Sequence, residues 1–356
     1  MRTPGLIDPH VHMREPGGEH KEDWESGTRA ALAGGVTMVL AMPNTKPSVT
    51  DSDTLATALS AARTKAVCDY AQFLGAGSGN LTKAATLAPF TAGLKMYLDQ
   101  TFGTLKLNNM EDWLNHFRNW PSSSPLCVHA EGPSLATAIL LAELTNRPVH
   151  LCHISLRSEI LLIKAAKERG IPVTCEVTPH HLFLSQDDVS TIGPGRSEVR
   201  PMLASRADVQ ALWDNLEYID CFATDHAPHT LQEKDGENPP PGFPGLESAL
   251  PLYLTAAAEG RLTIDDIITR SVTNPRRIFH LPEQPDTFVE IDPQARWTFS
   301  AANTYTRCGW SPFEGYTMTG RVISVTLRGK VVYQDGKITT KSGSGQNIRP
   351  ALNGIQ

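Results

Sequence analysis

Eight short apolar runs recur along the first two-thirds of this chain, and that repetition limits the folds open to it. They are Gly5–His12, Val36–Pro43, Cys68–Ala76, Ala92–Leu98, Leu126–Glu131, Val149–Ile154, Val173–Val177 and Ile219–Asp225. Most are continuously apolar rather than alternating, the pattern of strands buried on both faces of a parallel sheet. Amphipathic stretches lie between them, among them Asp23–Ala33, Thr54–Lys65, Glu111–Trp120, Ser134–Leu144 and Glu159–Arg169. Strand and helix alternating in this way predict an α/β fold, a (β/α)8 TIM barrel. A doubly wound open sheet is the alternative, but no Gly-x-Gly-x-x-Gly follows the first run. A chain of 356 residues suits one large barrel as well as two or three smaller domains. We expect the barrel over residues 5–285 and a small β appendage from the C-terminal segment 286–340, where Gly320–Gly336 reads as β. Residues 341–356, rich in Ser, Gly, Asn and Pro, read as a linker-like tail.

Composition narrows the function classes. Hydrophobic residues make up 40% and charged residues 20%, which excludes a disordered or collagen-like chain. The longest apolar runs fall far short of the ~20 residues that cross a bilayer, so no membrane span is expected. The net charge is −6 and no Lys/Arg block exists, which speaks against nucleic acid as a partner. No C-x-x-C pair occurs among Cys68, Cys127, Cys152, Cys175, Cys221 and Cys308, and most lie in apolar runs. That reads as reduced thiols in a cytoplasmic protein. Met1–Pro4 is no signal peptide, and the abrupt entry into the first run at Gly5 suggests a piece of a longer polypeptide.

Polar residues able to do chemistry fall at the ends of the predicted strands. His10 and His12 are two apart, so on a strand they point to the same side and can hold one metal together. Lys95 lies on the fourth run, His129 ends the fifth, His153 the sixth and Asp225 the eighth. The C-terminal ends of barrel strands share one mouth, where such folds place their active sites. Any single buried His is more simply a hydrogen-bonded core residue, and that reading is kept for His20, His116, His150, His180, His181 and His280. The joint pattern is not explained that way. Arg14 follows the His-x-His pair by two residues, Asn44 ends the second run and His229 lies just past Asp225, so all three should reach the mouth. Arginine is the preferred partner of a carboxylate because its fork donates two parallel hydrogen bonds.

The segments DPHVHMREPGGEHKEDWESG (8–27), MPNTKP (42–47), GLKMYL (93–98), VHAE (128–131), CHIS (152–155), CEVTPHHL (175–182), TDHAPHT (224–230) and PPPGFPGLE (239–247) together resemble the dihydroorotases of the amidohydrolase superfamily. The likeness is narrowest to the dihydroorotase domain of the animal multifunctional pyrimidine-synthesis protein, and it runs from Gly5 to about Gly336. The family's usual upstream β strands are missing. The resemblance implies a zinc enzyme that interconverts N-carbamoyl-L-aspartate and L-dihydroorotate, a homodimer within a larger polypeptide. Two Zn²⁺ need a bridging anion, and this site has few carboxylates. Lys95 carbamylated by CO₂ would supply one, whereas an ammonium would repel the metals. The first metal would take His10, His12, Lys95 and Asp225, and the second Lys95, His129 and His153. A third metal at Cys152 and Glu176, bridged by His129, stands against a buried thiol and a salt-bridged Glu. Cys152, the strand neighbour of His153, should not share its metal.

By the same resemblance Arg14, Asn44 and His229 grip a carboxylate. Backbone near Arg200 and at Pro241 and Gly242 meets the ring amide edges, though Arg200 reads equally as a surface residue. Asp225 would be the acid and base. The polar loop Asp99–Asn109, with Gly103 as hinge, would close over the substrate through Thr101 and Phe102; an ordinary exposed loop is the alternative. A dihydropyrimidinase or allantoinase is a rival, but those substrates lack the ring carboxylate that Arg14 would serve. A metal-free, inactive homologue is a second rival, opposed by the intact ligand set.

Overall fold

The computed structural model describes residues Met1–Leu352. A short strand, β1 (Arg2–Pro4), precedes the first apolar run. The runs themselves become β2 (Leu6–Val11), β3 (Val36–Ala41), β4 (Asp69–Gln72) continued by β5 (Leu74–Gly75), β6 (Leu94–Tyr97), β7 (Leu126–His129), β8 (Val149–Leu151), β9 (Val173–Val177) and β10 (Cys221–Phe222). Their pairings are parallel throughout, in the orders β2-β3-β4 and β5-β6-β7-β8-β9-β10. The two sheets join at Phe73: its amide bonds the Ala41 carbonyl, while the next amide, of Leu74, bonds Gly93. A parallel bridge between Val11 and His226 closes the other side, with the His12 amide 2.7 Å from the His226 carbonyl. The result is the expected closed barrel.

Every residue of β2, β3 and β6 is buried, which is why these runs carry no alternation. Helices cover the outside. The helix Trp24–Ala33 starts where the Asp23 carboxylate accepts from the Ser26 amide at 2.8 Å, and it buries Trp24, Ala30, Ala31 and Leu32. A cap of this kind contributes about 1 kcal/mol. Truncating a fully buried leucine such as Leu32 to Ala costs about 2–5 kcal/mol.

The appendage is a five-stranded antiparallel sheet of β11 (Phe288–Thr298), β12 (Thr317–Leu327), β13 (Lys330–Gln334), β14 (Lys337–Ile338) and β1. Two expectations need correction here. The appendage does not come from the C-terminal segment alone, because Arg2–Pro4 pairs with Phe288–Glu290 at its edge. The stretch 341–352 is also no loose linker. Its backbone satisfies the barrel edge: the Tyr70 amide bonds Gln346, the Ile348 amide bonds Tyr70, and Gly345 bonds Ala66. Residues 353–356 of that expected tail lie outside the described residues. No helix among the described residues is long and apolar enough to cross a membrane. All six cysteines are free and buried.

Candidate active site

His10 and His12 leave the end of β2 toward the barrel mouth and meet Asp225 there. Asp225 Oδ1 lies 3.2 Å from His10 Nε2 and 3.0 Å from His12 Nε2. The other ring nitrogens face oxygens too: His12 Nδ1 is 2.7 Å from Asn44 Oδ1, and His10 Nδ1 is 2.5 Å from Glu176 Oε1. Burial pushes the His12 imidazole down to about 4. A neutral ring donates through only one nitrogen. With Nδ1–H given to Asn44, the His12 Nε2 lone pair faces a carboxylate oxygen. A cation between the imidazoles and Asp225 relieves that repulsion. His129 and His153 meet each other instead: Nδ1 of His129 is 2.9 Å from Nε2 of His153, while His153 Nδ1 is buried without a hydrogen-bond partner and His129 Nε2 has Glu131 Oε1 only at 3.4 Å. Such a donor set of imidazoles and a carboxylate fits Zn²⁺.

Lys95 is fully buried on β6, and its amine donates to Cys152 Sγ at 2.8 Å. Cys152 and Glu176 do come together, but with His10 rather than with His129. The expected third ligand set is therefore corrected in this respect. β8 ends at Leu151, and beyond it Cys152 turns to Lys95, His10 and Glu176 whereas His153 turns to His129. His153 then sits at φ 35° and Asp225 at φ 46°, both in the left-handed region that non-glycine residues enter only under constraint.

Arg14 and His229 stand beside this cluster. The Arg14 Nε donates to the Pro228 carbonyl at 3.0 Å, and its Nη2 lies 3.0 Å from His229 Nε2. Burial, Arg14 and Lys21 together hold the His229 imidazole far below its usual range. From the loop after β6, the Phe102 ring packs edge-on against His229 with centroids 4.9 Å apart, and the Phe102 carbonyl accepts from Asn44 Nδ2 at 3.0 Å. Thr101 is half-buried beside it. Arg200 does not enter the site with its side chain, which bonds Glu198 and the Val199 carbonyl. The Pro241 carbonyl accepts from His229 Nε2 at 3.1 Å, and the Gly242 amide donates to Glu198 at 3.0 Å. The backbone expected at the ring amide edges is thus bonded within the chain.

The sequence pattern of the Dihydro-orotase-like family matches residues 1–109. The dihydroorotase of Pyrococcus abyssi (strain GE5 / Orsay) is 37% identical over 95% of this chain and 85% of its own length. The chain belongs to the dihydroorotase family. The multifunctional protein CAD of Squalus acanthias is 54% identical over 98% of this chain, which spans only 16% of that relative. Among solved structures, the inactive dihydroorotase-like domain of the Chaetomium thermophilum CAD-like multifunctional protein superposes with a TM-score of 0.84 at 30% identity, covering 98% of this chain and 99% of that one.

Several residues of this dihydroorotase-family site escaped the sequence reading. His150, read as a plain core residue, donates toward Glu176 Oε2 at 3.0 Å and lies 2.9 Å from Thr174 Oγ1. Lys21 reaches His229 Nδ1 at 3.0 Å and Glu233 at 2.7 Å. Glu22 is fully buried and bonds His226 Nε2 at 3.2 Å. The Lys21-Glu22-Asp23 run looks like a solvated face in sequence. Only its place in a segment otherwise rich in site residues signals anything else.

Proposed function

We propose that this chain is a zinc-dependent dihydroorotase of de novo pyrimidine synthesis, cyclising N-carbamoyl-L-aspartate reversibly to L-dihydroorotate and water. The observation that carries this reading is the convergence of His10, His12 and Asp225 at the barrel mouth with Arg14 and His229 alongside. His10, His12 and Asp225 would hold one Zn²⁺, His129 and His153 a second, and Lys95 would bridge them as a carbamate, its amine adding to CO₂ with loss of a proton. Cys152 and Glu176 are candidates for a third site. Bound zinc would polarise the reacting carbonyl and make water a nucleophile near neutral pH.

The chain's own groups do the rest. In the hydrolytic direction Asp225 takes a proton from the attacking water and hands it to the leaving amide nitrogen. In the cyclising direction it takes the proton from the carbamoyl nitrogen, so one carboxylate serves as base and then acid. Arg14, Asn44 and His229 bind the ring carboxylate. Backbone at Arg200, Pro241 and Gly242 lines the amide edges once their internal bonds exchange for substrate. Thr101 donates to the bound ligand, and Phe102 seals the loop above it.

Residues 5–285 serve as the catalytic barrel, and 286–340 together with the strand Arg2–Pro4 as its appendage. The protein works as a homodimer in the cytoplasm, within a larger pyrimidine-synthesis polypeptide. Metal stoichiometry measured with hydrolysis of L-dihydroorotate tests the reading. Turnover with at least two zinc ions per chain is expected. Zinc-replete protein that leaves dihydroorotate intact but opens dihydrouracil or allantoin would replace it with a rival activity, and protein that binds no metal would mark an inactive homologue.

A further inference from the structure

We infer that Lys234 is a positioning residue for the strip Pro239–Gly242, and through it for the amide edge of the substrate ring; this rests on the dihydroorotase reading. Lys234 has no solvent exposure. Among the described residues its ammonium meets no carboxylate. It donates instead to three main-chain carbonyls, of Glu198 at 2.7 Å, Pro240 at 2.9 Å and Gly242 at 3.3 Å. The rings of Phe243 and Trp310 stand 5.6 and 5.4 Å from the nitrogen. An ammonium has three donors, and here each has one acceptor.

Taking a lone cation out of water is costly, and a methionine would fill the same space without that penalty. Burial pushes the Lys234 amine down to about 7. What the charge does here is geometric. With the carbonyls of Pro240 and Gly242 both turned to the ammonium, the carbonyl between them, of Pro241, faces the other way and reaches His229 Nε2 at 3.1 Å. The strip has little room to choose another path. Gly242 sits at φ 143°, and a Cβ there would come within 2.4 Å of the Ala227 carbonyl. The Glu198 carbonyl accepts from both Lys234 and the Gly242 amide, so the same nitrogen ties the segment before Arg200 to the strip. Trp310, stacked on Lys234, gives its indole N–H to the His229 carbonyl at 2.7 Å. One buried amine thus sets the direction of the backbone groups on which the ring edge would lie, without touching the reacting atoms.

The test uses zinc-loaded full chains of Lys234→Met and Lys234→Gln. A misdirected strip weakens binding of the ring and leaves the proton chemistry alone. KM for L-dihydroorotate should rise about tenfold with kcat within about threefold, the effect of one misplaced hydrogen bond. Zinc content should match wild type. An unchanged KM in zinc-replete variants overturns the inference, as does a fall in kcat and zinc content with KM unmoved, which would make Lys234 a structural pin. A measurement on the wild type covers variants that fail to fold: the ¹⁵Nζ resonance of the bonded ammonium should shift when L-dihydroorotate is added, and a resonance that ignores ligand overturns the inference. Wild-type protein without turnover would count against the dihydroorotase reading. Active wild type beside Lys234 variants of normal KM would count against Lys234 alone.

Discussion

The amine of Lys95 lies 2.8 Å from the sulfur of Cys152, at a depth no solvent reaches. A lysine placed there to pair with a carboxylate would have found one. Lys95→Ala should therefore abolish turnover and release at least one zinc, because the bridging carbamate is gone. Short carboxylic acids or bicarbonate should restore part of the activity by filling the gap. Elemental analysis decides: a fully active mutant with two metals retained would rule out the carbamate.

Asp225→Asn should keep the fold and much of the metal, since the amide oxygen still coordinates weakly. Loss of the proton carrier alone is worth ~10²–10⁴ in rate. A fall of less than about tenfold in kcat would assign the base to another residue.

Arg14→Met removes the group that donates to the Pro228 carbonyl and stands 3.0 Å from His229 Nε2. Breaking one side of a buried charge-assisted pair costs about 2–5 kcal/mol. That loss should appear in kcat/KM for dihydroorotate and far less for dihydrouracil, which has no carboxylate. Equal losses on both substrates would give Arg14 a structural role.

Thr101→Ala and Phe102→Ala should each cut turnover strongly while zinc content and Tm stay near wild type. Phe102 rests on His229 and accepts from Asn44, so its backbone amides should exchange more slowly when dihydroorotate is added. Mutants of normal turnover and exchange that ignores ligand would leave this an ordinary loop.

His150→Ala leaves Glu176 Oε2 without its imidazole partner inside the barrel. An unsatisfied buried acceptor costs about 1–3 kcal/mol. The urea midpoint should drop with an unchanged slope. A midpoint equal to wild type would show that another group takes over the carboxylate.

The barrel was legible because parallel strands buried on both faces leave continuous apolar runs, and His10, His12, Lys95, His129, His153 and Asp225 punctuate those runs near their C-terminal ends. The imidazole beside Cys152 and Glu176 was placed less well, His10 standing where His129 was expected, because spacing along one strand does not say which ring of a crowded mouth turns to a given thiol. Lys21, His150 and Lys234 were not legible. Their partners are carbonyls, carboxylates and rings brought from distant segments, and a buried lysine has the same letter as a surface one. The Ser- and Gly-rich stretch near 341–352 misled for a related reason: composition reports side chains, whereas that segment docks through its backbone.

Asp225 at φ 46° means that a saturation library at this position reads two quantities at once. Aspartate and asparagine tolerate the left-handed region better than most side chains, and β-branched residues are excluded from it. Valine or threonine at 225 would fail on the main chain before its chemistry was ever sampled, and glutamate would carry some of the same handicap. Asparagine, histidine and glycine disturb the main chain least while the carboxylate is withdrawn. Sequence tolerance at this position therefore understates how many functional groups the reaction itself would accept, and a ranking of variants by activity alone would mistake a conformational filter for a catalytic one.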